Sequence, residues 1–189
     1  MPLSASEGAP LRLESKPKPH ARFGGLWDVG GMFLRKQKAR LELMKKKIYV
    51  AYGSNMDLAQ MAHRCPQAEL LGQGMMKDWQ LRFKGSQTSS YATIERKSGR
   101  EVPVLLWAIS KADEKRLDIY EGYPSFYYKK IVEVQTESGP VSGMVYIMHE
   151  ERNLGIPTLQ YYNVLAQAYE NFGFDLRILQ KAYQDCLVA

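Results

Sequence analysis

Glu121 is the residue whose type and place in the sequence point most directly to chemistry. Ser110-Lys111-Ala112-Asp113 is a capping-box start for a helix that runs through Leu117 and Tyr120 and is stopped by Gly122 and Pro124. The spacing therefore predicts a glutamate at a helix C-terminus. There the negative end of the helix dipole disfavours its charge. Desolvation by Tyr120, Tyr123, Phe126 and Tyr127 would act in the same direction, and both effects raise a carboxyl pKa. A carboxyl so placed suits general-base and then general-acid work. The bland alternative is a solvated residue at a helix end, and position alone does not separate the two. Glu114 and Asp118, on the same helix, read as solvated charges.

The second chemical feature is Ile48-Tyr49-Val50-Ala51-Tyr52-Gly53-Ser54-Asn55-Met56, an apolar run that breaks into a turn and then a helical pattern. A turn at a helix entrance presents unpaired backbone N–H groups with the positive dipole end behind them, so residues 53–56 form a candidate anion cradle. The structural alternative has Gly53 supplying an unusual φ and Asn55 or Asp57 capping the helix. Tyr127 and Tyr128 open a strand, so one should point to each face. Ser54 lacks the surroundings of a nucleophile elbow. Cys65 and Cys186 have no spacing with His20, His63 or His149 that resembles a zinc or redox site. Both read as packing thiols, His63 and His149 read as satisfied imidazoles, and neither metal nor cofactor is expected.

These residues need a scaffold, and the hydrophobic periods supply one. A strand at 48–51 precedes a short helix with Leu58, Met61, Ala62 and Cys65 on one side, ended by Pro66. Trp79, Leu81 and Phe83 alternate as a half-buried strand before a polar loop at 85–90. Residues 91–95 and 102–109 read as two more strands joined around Ser98-Gly99. The second is apolar on both parities and so central, with Pro103 placing its start at an edge or bulge. After the Glu121 helix, 127–134 and 141–148 form a hairpin about Ser138-Gly139-Pro140. Pro157-Thr158 opens a helix with Leu159, Tyr162, Leu165, Ala166 and Tyr169 along one side, and residues 171–173 break it before a last helix at about 176–183. Strands with short helices inserted, without alternating β-α-β units, predict an α+β domain with a small mixed β-barrel flanked by short helices.

At 189 residues and 45% hydrophobic content the chain fits one domain with a substantial core. Residues 44–189 are assigned to that domain. Residues 1–43, with scattered Pro and Gly and a Lys-Pro-Lys-Pro segment, read as a disordered basic leader or as an extension upstream of a natural start at Met44. The formal charge of +6 is concentrated in this leader, which holds eight Lys/Arg against four Asp/Glu and leaves 18 against 16 elsewhere. A nearly neutral body argues against nucleic acid as a partner, and Lys45-Lys46-Lys47 and Lys129-Lys130 read as solvated lysines at strand entries. Without a long apolar run or a signal-like N-terminus, a membrane partner is not expected and a cytoplasmic location is.

Taken together, Tyr52-Gly53-Ser54-Asn55-Met56 after a first strand, Tyr120-Glu121-Gly122 closing a short helix, and Tyr127-Tyr128-Lys129-Lys130 opening a strand resemble the γ-glutamylcyclotransferase superfamily, including its AIG2-like members. The likeness spans roughly residues 48–183. It implies that the Tyr52–Met56 turn and Glu121 face each other across one cavity. By match to the family's motifs, Glu121 stands at the catalytic glutamate, Tyr52, Gly53, Ser54, Asn55 and Met56 at the substrate-binding turn, and Tyr127 and less directly Tyr128 at the site tyrosine. The implied reaction releases 5-oxoproline from a small γ-glutamyl amine or γ-glutamyl amino acid, with no cofactor. The other reading of the same cavity is a non-catalytic module that binds a small carboxylate or a protein. The chain departs from the family at Val102-Pro103-Val104-Leu105-Leu106-Trp107, where relatives commonly carry a glycine. Leu105 or Leu106 is therefore expected to narrow the pocket.

Overall fold

A computed structural model describes residues 46–86 and 89–188. The apolar run at 48–51 forms β1 (Lys47–Ala51). After a 3-10 turn (Ser54–Met56) comes α1 (Leu58–Arg64), then the long strands β2 (Glu69–Ser86) and β3 (Ser89–Ile109). Helix α2 (Lys111–Tyr120) precedes the hairpin of β4 (Tyr127–Thr136) and β5 (Gly139–Met148). A two-residue β6 (Asn153–Leu154) and helices α3 (Leu159–Asn171) and α4 (Leu176–Leu187) complete the order. Strands β3, β1, β5, β4 and β2 are neighbours in that sequence, and β2 pairs back onto β3, which closes a barrel with β6 added beside β2. Among the described strands only β1 and β5 run parallel, so the sheet is mixed. The expected α+β class is the one observed. None of the described helices is long and apolar enough to cross a membrane.

The burial pattern shows why these segments pair. Tyr49–Ala51 and Val102–Ile109 are buried on both parities, because β3 lies between β1 and β2. Helix α3 packs through Leu165, Ala168 and Tyr169, and α4 through Leu179 and Ala182. Leu159 points away from the core at 74% exposed, and in the two-turn α1 only Met61 is buried while Leu58 and Ala62 are exposed.

Two segments differ from the sequence expectation. Residues 89–109 make one strand, because Ser98-Gly99 forms a bulge within it. Lys77 pairs with Glu101 and Trp79 with Arg96, so four residues of β3 lie opposite Asp78. Asp78 takes a positive φ of 60° and its carboxylate accepts from the Gly99 N–H at 2.9 Å. The bulge bends both strands without ending either. Pro103 sits just past it, opposite Met75, as suits a residue without an N–H. The paired strand β2 begins at Glu69, ten residues before Trp79, and Gly85, Ser86, Ser89 and Ser90 belong to the β2–β3 ladder rather than to a loop. The leader, residues 1–43, lies outside the described residues.

The barrel closes through two short ladders, β1–β5 with the registered pair Tyr49 and Met144, and β2–β4 with Met75 and Gln135. Each has a glycine at its closest approach. A Cβ on Gly143 would fall 2.6 Å from Val50 Cγ2 and 3.3 Å from the Ile48 carbonyl, and one on Gly74 2.3 Å from Val134 Cγ1 and 3.0 Å from the Gln135 carbonyl. The seams can be drawn together only where no side chain intervenes. Gly143→Ala and Gly74→Ala should each destabilise the protein by about 1–3 kcal/mol through this overpacking, read as a lower urea midpoint at unchanged slope.

Candidate active site

Strand β1 delivers the chain to the turn, and Asp57 caps α1 by accepting the Gln60 N–H at 2.8 Å. That cap leaves the Asn55 side chain for a different task. Its Nδ2 donates to Glu121 Oε1 at 2.9 Å and to the Tyr49 hydroxyl at 2.7 Å, while Oδ1 accepts from Arg64 Nη1 at 2.6 Å. Because arginine can only donate, it fixes which end of the Asn55 amide faces Glu121. Arg64 also donates to Ser54 Oγ at 3.1 Å and lies 3.8 Å over the Tyr120 ring. Tyr120 immediately precedes Glu121, so Arg64 ties the turn to the end of α2.

The capping box holds the other end of that helix. Ser110 Oγ accepts from the Asp113 N–H at 3.1 Å and the Asp113 carboxylate accepts from the Ser110 N–H at 3.1 Å. Leu117 is the one apolar residue of α2 that is fully buried, and Asp113, one turn earlier, is buried as well. Polar tethers make up for this thin packing. Lys129 on β4 reaches Glu114 at 2.8 Å and Asp118 at 2.7 Å, Lys47 reaches Glu114 at 2.7 Å, and the Tyr146 hydroxyl donates to Asp118 at 2.5 Å. Glu114 and Asp118 are thus not solvated charges, and Lys47 and Lys129 are not free ones. The two lysines hold the Glu114 carboxyl below its usual range.

Glu121 opens onto a cavity of about 390 Å³. Six of the residues singled out in the sequence line it: Tyr52, Gly53, Ser54, Asn55, Glu121 and Tyr127. Met56 lies beneath the turn, fully buried and outside the lining. Tyr128, on the opposite face of β4, donates to Glu150 at 2.6 Å and packs its ring against His149. The alternation of β4 sends Tyr127 inward instead. Its hydroxyl donates to the Ala92 carbonyl at 2.9 Å, and the Ala92 N–H donates to the Tyr161 hydroxyl at 3.1 Å. The Tyr52 hydroxyl donates to the Tyr146 carbonyl at 2.7 Å. Gly53 has a φ of −114°, open to any residue, so the unusual φ expected there is absent. The Met56 N–H closes the turn onto the Gly53 carbonyl at 2.9 Å, which removes it from the expected cradle. The Ser54 and Asn55 N–H groups, first in the 3-10 turn, have no carbonyl within it to reach. Leu105 and Leu106 pair with β1 and do not line the cavity, so neither narrows it as expected.

Burial raises the Glu121 pKa from 4.5 to about 7, with the Arg64 charge and the Asn55 hydrogen bond pulling it back down. Desolvation, one of the two effects expected at this position, is the dominant cause. Burial also pushes the Tyr49, Tyr52 and Tyr127 hydroxyls well above their usual value, so all three stay neutral. Tyr49, Arg64, Tyr146 and Tyr161 were not singled out in the sequence. Arg64 follows the turn on α1, but only the folded chain shows it turned back toward Ser54. In a larger open groove beside α4, Arg82 and Lys181 pair with Asp185 and Arg177 pairs with Asp175.

A family model described as "Gamma-glutamyl cyclotransferase, AIG2-like" matches residues 49–164. The chain is 29% identical over 143 residues to the Homo sapiens protein named Gamma-glutamylcyclotransferase, covering 71% of this chain and 76% of that one. It is 30% identical over 143 residues to the Bos taurus protein of the same name, with the same coverage of 71% and 76%. A solved structure titled Gamma-glutamyl cyclotransferase superposes with a TM-score of 0.65 at 27% identity, over 72% of this chain and 86% of that chain.

The raised pKa fixes the sign of a stability effect. The folded state holds the Glu121 proton more tightly than the unfolded chain, so stability falls as pH rises from about 4.5 to about 7 and then levels off. The whole shift corresponds to on the order of 3 kcal/mol at most, since a unit is worth about 1.4 kcal/mol. Glu121→Gln lacks this titration. Urea unfolding of both proteins from pH 4.5 to pH 8, a range set by the raised pKa, should show wild-type stability declining relative to the variant. A pH-independent difference would contradict a raised pKa.

Proposed function

The chain belongs to the γ-glutamyl cyclotransferase, AIG2-like family, and we propose that it cyclises a γ-glutamyl amine or γ-glutamyl amino acid to 5-oxoproline with release of the amine. The observation that carries this reading is the 2.9 Å hydrogen bond from Asn55 to the Glu121 carboxyl, which joins the turn and the titratable group in one cavity. The names of the similar proteins, Gamma-glutamylcyclotransferase, support it.

A γ-glutamyl compound carries its own nucleophile, so the protein needs neither a nucleophilic side chain nor a second substrate. It must hold the folded conformer, move protons and stabilise an oxyanion. Ionised Glu121 takes a proton from the substrate's α-ammonium. The freed nitrogen attacks the γ-carbonyl carbon, and the C–N bond to the leaving amine breaks as the five-membered lactam closes. Two protons leave the α-nitrogen in all, and two arrive on the leaving nitrogen, with Glu121 relaying them and ending as it began. An α-ammonium has a pKa of about 8. A carboxyl raised to about 7 receives that proton far more readily than one at 4.5, yet still ionises near neutral pH.

The neighbouring groups divide the remaining work. The Ser54 and Asn55 N–H groups bind the substrate carboxylate or the developing oxyanion. Tyr127, whose proton is given to the Ala92 carbonyl, is left with lone pairs that accept from the ammonium. Asn55 and Arg64 keep Glu121 aimed and partly ionised.

Release of 5-oxoproline from γ-glutamyl dipeptides, γ-glutamyl-lysine and glutathione tests this directly. Wild type should turn over at least one of them, at a rate that rises with pH through about 7 as Glu121 ionises. Glu121→Gln should be slower by about a hundredfold or more. No product from any of these compounds would favour a binding module in place of an enzyme, and an undiminished rate in the variant would remove Glu121 from the mechanism.

A further inference from the structure

The cavity is polarised along its depth. Its floor is made of hydrogen-bonding groups shut away from bulk water: Tyr49, Asn55 and Tyr127 are 4%, 3% and 6% exposed. Its rim is made of hydrocarbon and aromatic surface open to water: Tyr91, Ile119 and Tyr120 are 40%, 83% and 49% exposed. Phe126 completes this rim wall, edge-on to Tyr91 with ring centroids 6.4 Å apart. Among the described residues, no lysine or arginine lines the cavity. Arg152 lies with its guanidinium 3.9 Å over the Phe126 ring and is not among the lining residues.

Resting on the cyclotransferase reading, which puts the scissile γ-carbonyl beside Glu121 at the floor, the substrate has only one way to extend. Its leaving group must point outward across Tyr91, Ile119, Tyr120 and Phe126. We infer that this rim is a leaving-group subsite for an amine with an aromatic or bulky apolar body and no carboxylate of its own, an arylalkylamine joined through its nitrogen to the γ-glutamyl head. Apolar surface at the rim gains from being covered, and three aromatic rings offer edge and face contacts to a fourth. A carboxylate on the leaving group would enter a cavity that already holds an ionisable acid and has no cationic lining residue to pair with it. The volume of about 390 Å³ suits such a molecule, at the lower end of the ~300–1,000 Å³ clefts that hold drug-sized ligands.

The test compares γ-glutamyl-phenethylamide, γ-glutamyl-methylamide and γ-glutamyl-phenylalanine. The expected kcat/KM in wild type is at least tenfold higher for the phenethylamide than for either of the others, carried mainly by KM, since covering apolar surface contributes to binding. Tyr91→Ala and Ile119→Ser, both at exposed positions, should each lower the phenethylamide-to-methylamide ratio in protein whose urea midpoint shows it folded. A wild-type ratio near one, a preference for the phenylalanine compound, or a ratio unchanged in both variants would overturn the subsite. Titration calorimetry on Glu121→Gln with the same three compounds gives a readout that does not need turnover. If wild type forms no 5-oxoproline from these three compounds or from γ-glutamyl-lysine, glutathione and the other γ-glutamyl dipeptides, the cyclotransferase reading fails, and the order of these dissociation constants still decides for or against the aromatic rim.

Discussion

A single side-chain amide holds the site together. Asn55 spends both protons of its Nδ2, one on Glu121 and one on Tyr49, and its oxygen on Arg64. A buried amide with all its partners made has one orientation, because any rotation would leave a donor facing a donor and cost the desolvation of both. This locks together three separate pieces of the chain: β1 through Tyr49, α1 through Arg64 and the end of α2 through Glu121. The barrel makes the arrangement possible by bringing β1 between β3 and β5, so that the turn after β1 emerges where α2 ends.

The helix that carries Glu121 is held in an unusual way for so central an element. Its apolar stripe is too narrow to anchor it, with Leu117 alone fully buried among its hydrophobic residues. Direction comes instead from the capping box at one end, from Lys129, Lys47 and Tyr146 gripping Glu114 and Asp118 in the middle, and from Arg64 stacked on Tyr120 at the other end. Exposed ion pairs contribute little to stability as a rule, but these converge on two carboxylates that are only 12% and 27% exposed. Their effect is to fix the rotation and tilt of the helix, and so the place of the residue that follows it.

What was legible in the sequence is what is encoded locally. The capping box at Ser110, the stop at Gly122, the turn after β1 and the β4–β5 hairpin each depend on a few adjacent residues, and all are observed. Glu121 was legible for the same reason, since its place at a helix end is a local fact. The misreadings arise where the fold overrides local pattern. Ser98-Gly99 has the composition of a turn, but the pairing of β2 with β3 on both sides of it turns it into a bulge. The first half of β2 was missed because much of it is exposed on the barrel surface and carries no clean alternation. Asn55 and Asp57 both have the composition of a cap, and the fold gives that role to Asp57 and turns Asn55 inward. Arg64 gave no signal at all: an arginine on a short exposed helix is ordinary until the fold sets a serine, an asparagine and a tyrosine ring around its guanidinium.

Arg64 also explains why the Glu121 pKa rests where it does. Burial alone would drive the carboxyl higher. The cation beside it and the Asn55 donor pull in the opposite direction, and the balance lies near 7. A full ion pair would overshoot, returning the glutamate toward an ordinary carboxylic acid. The structure avoids this by putting the asparagine between the two charges. Arg64 hydrogen-bonds to the oxygen of Asn55 and Glu121 to its nitrogen, so the cation acts on the carboxylate across the length of an amide and does not pair with it directly. The same residue that fixes the geometry of the site thereby sets how strongly its charge is felt, and aim and acidity follow from one interaction.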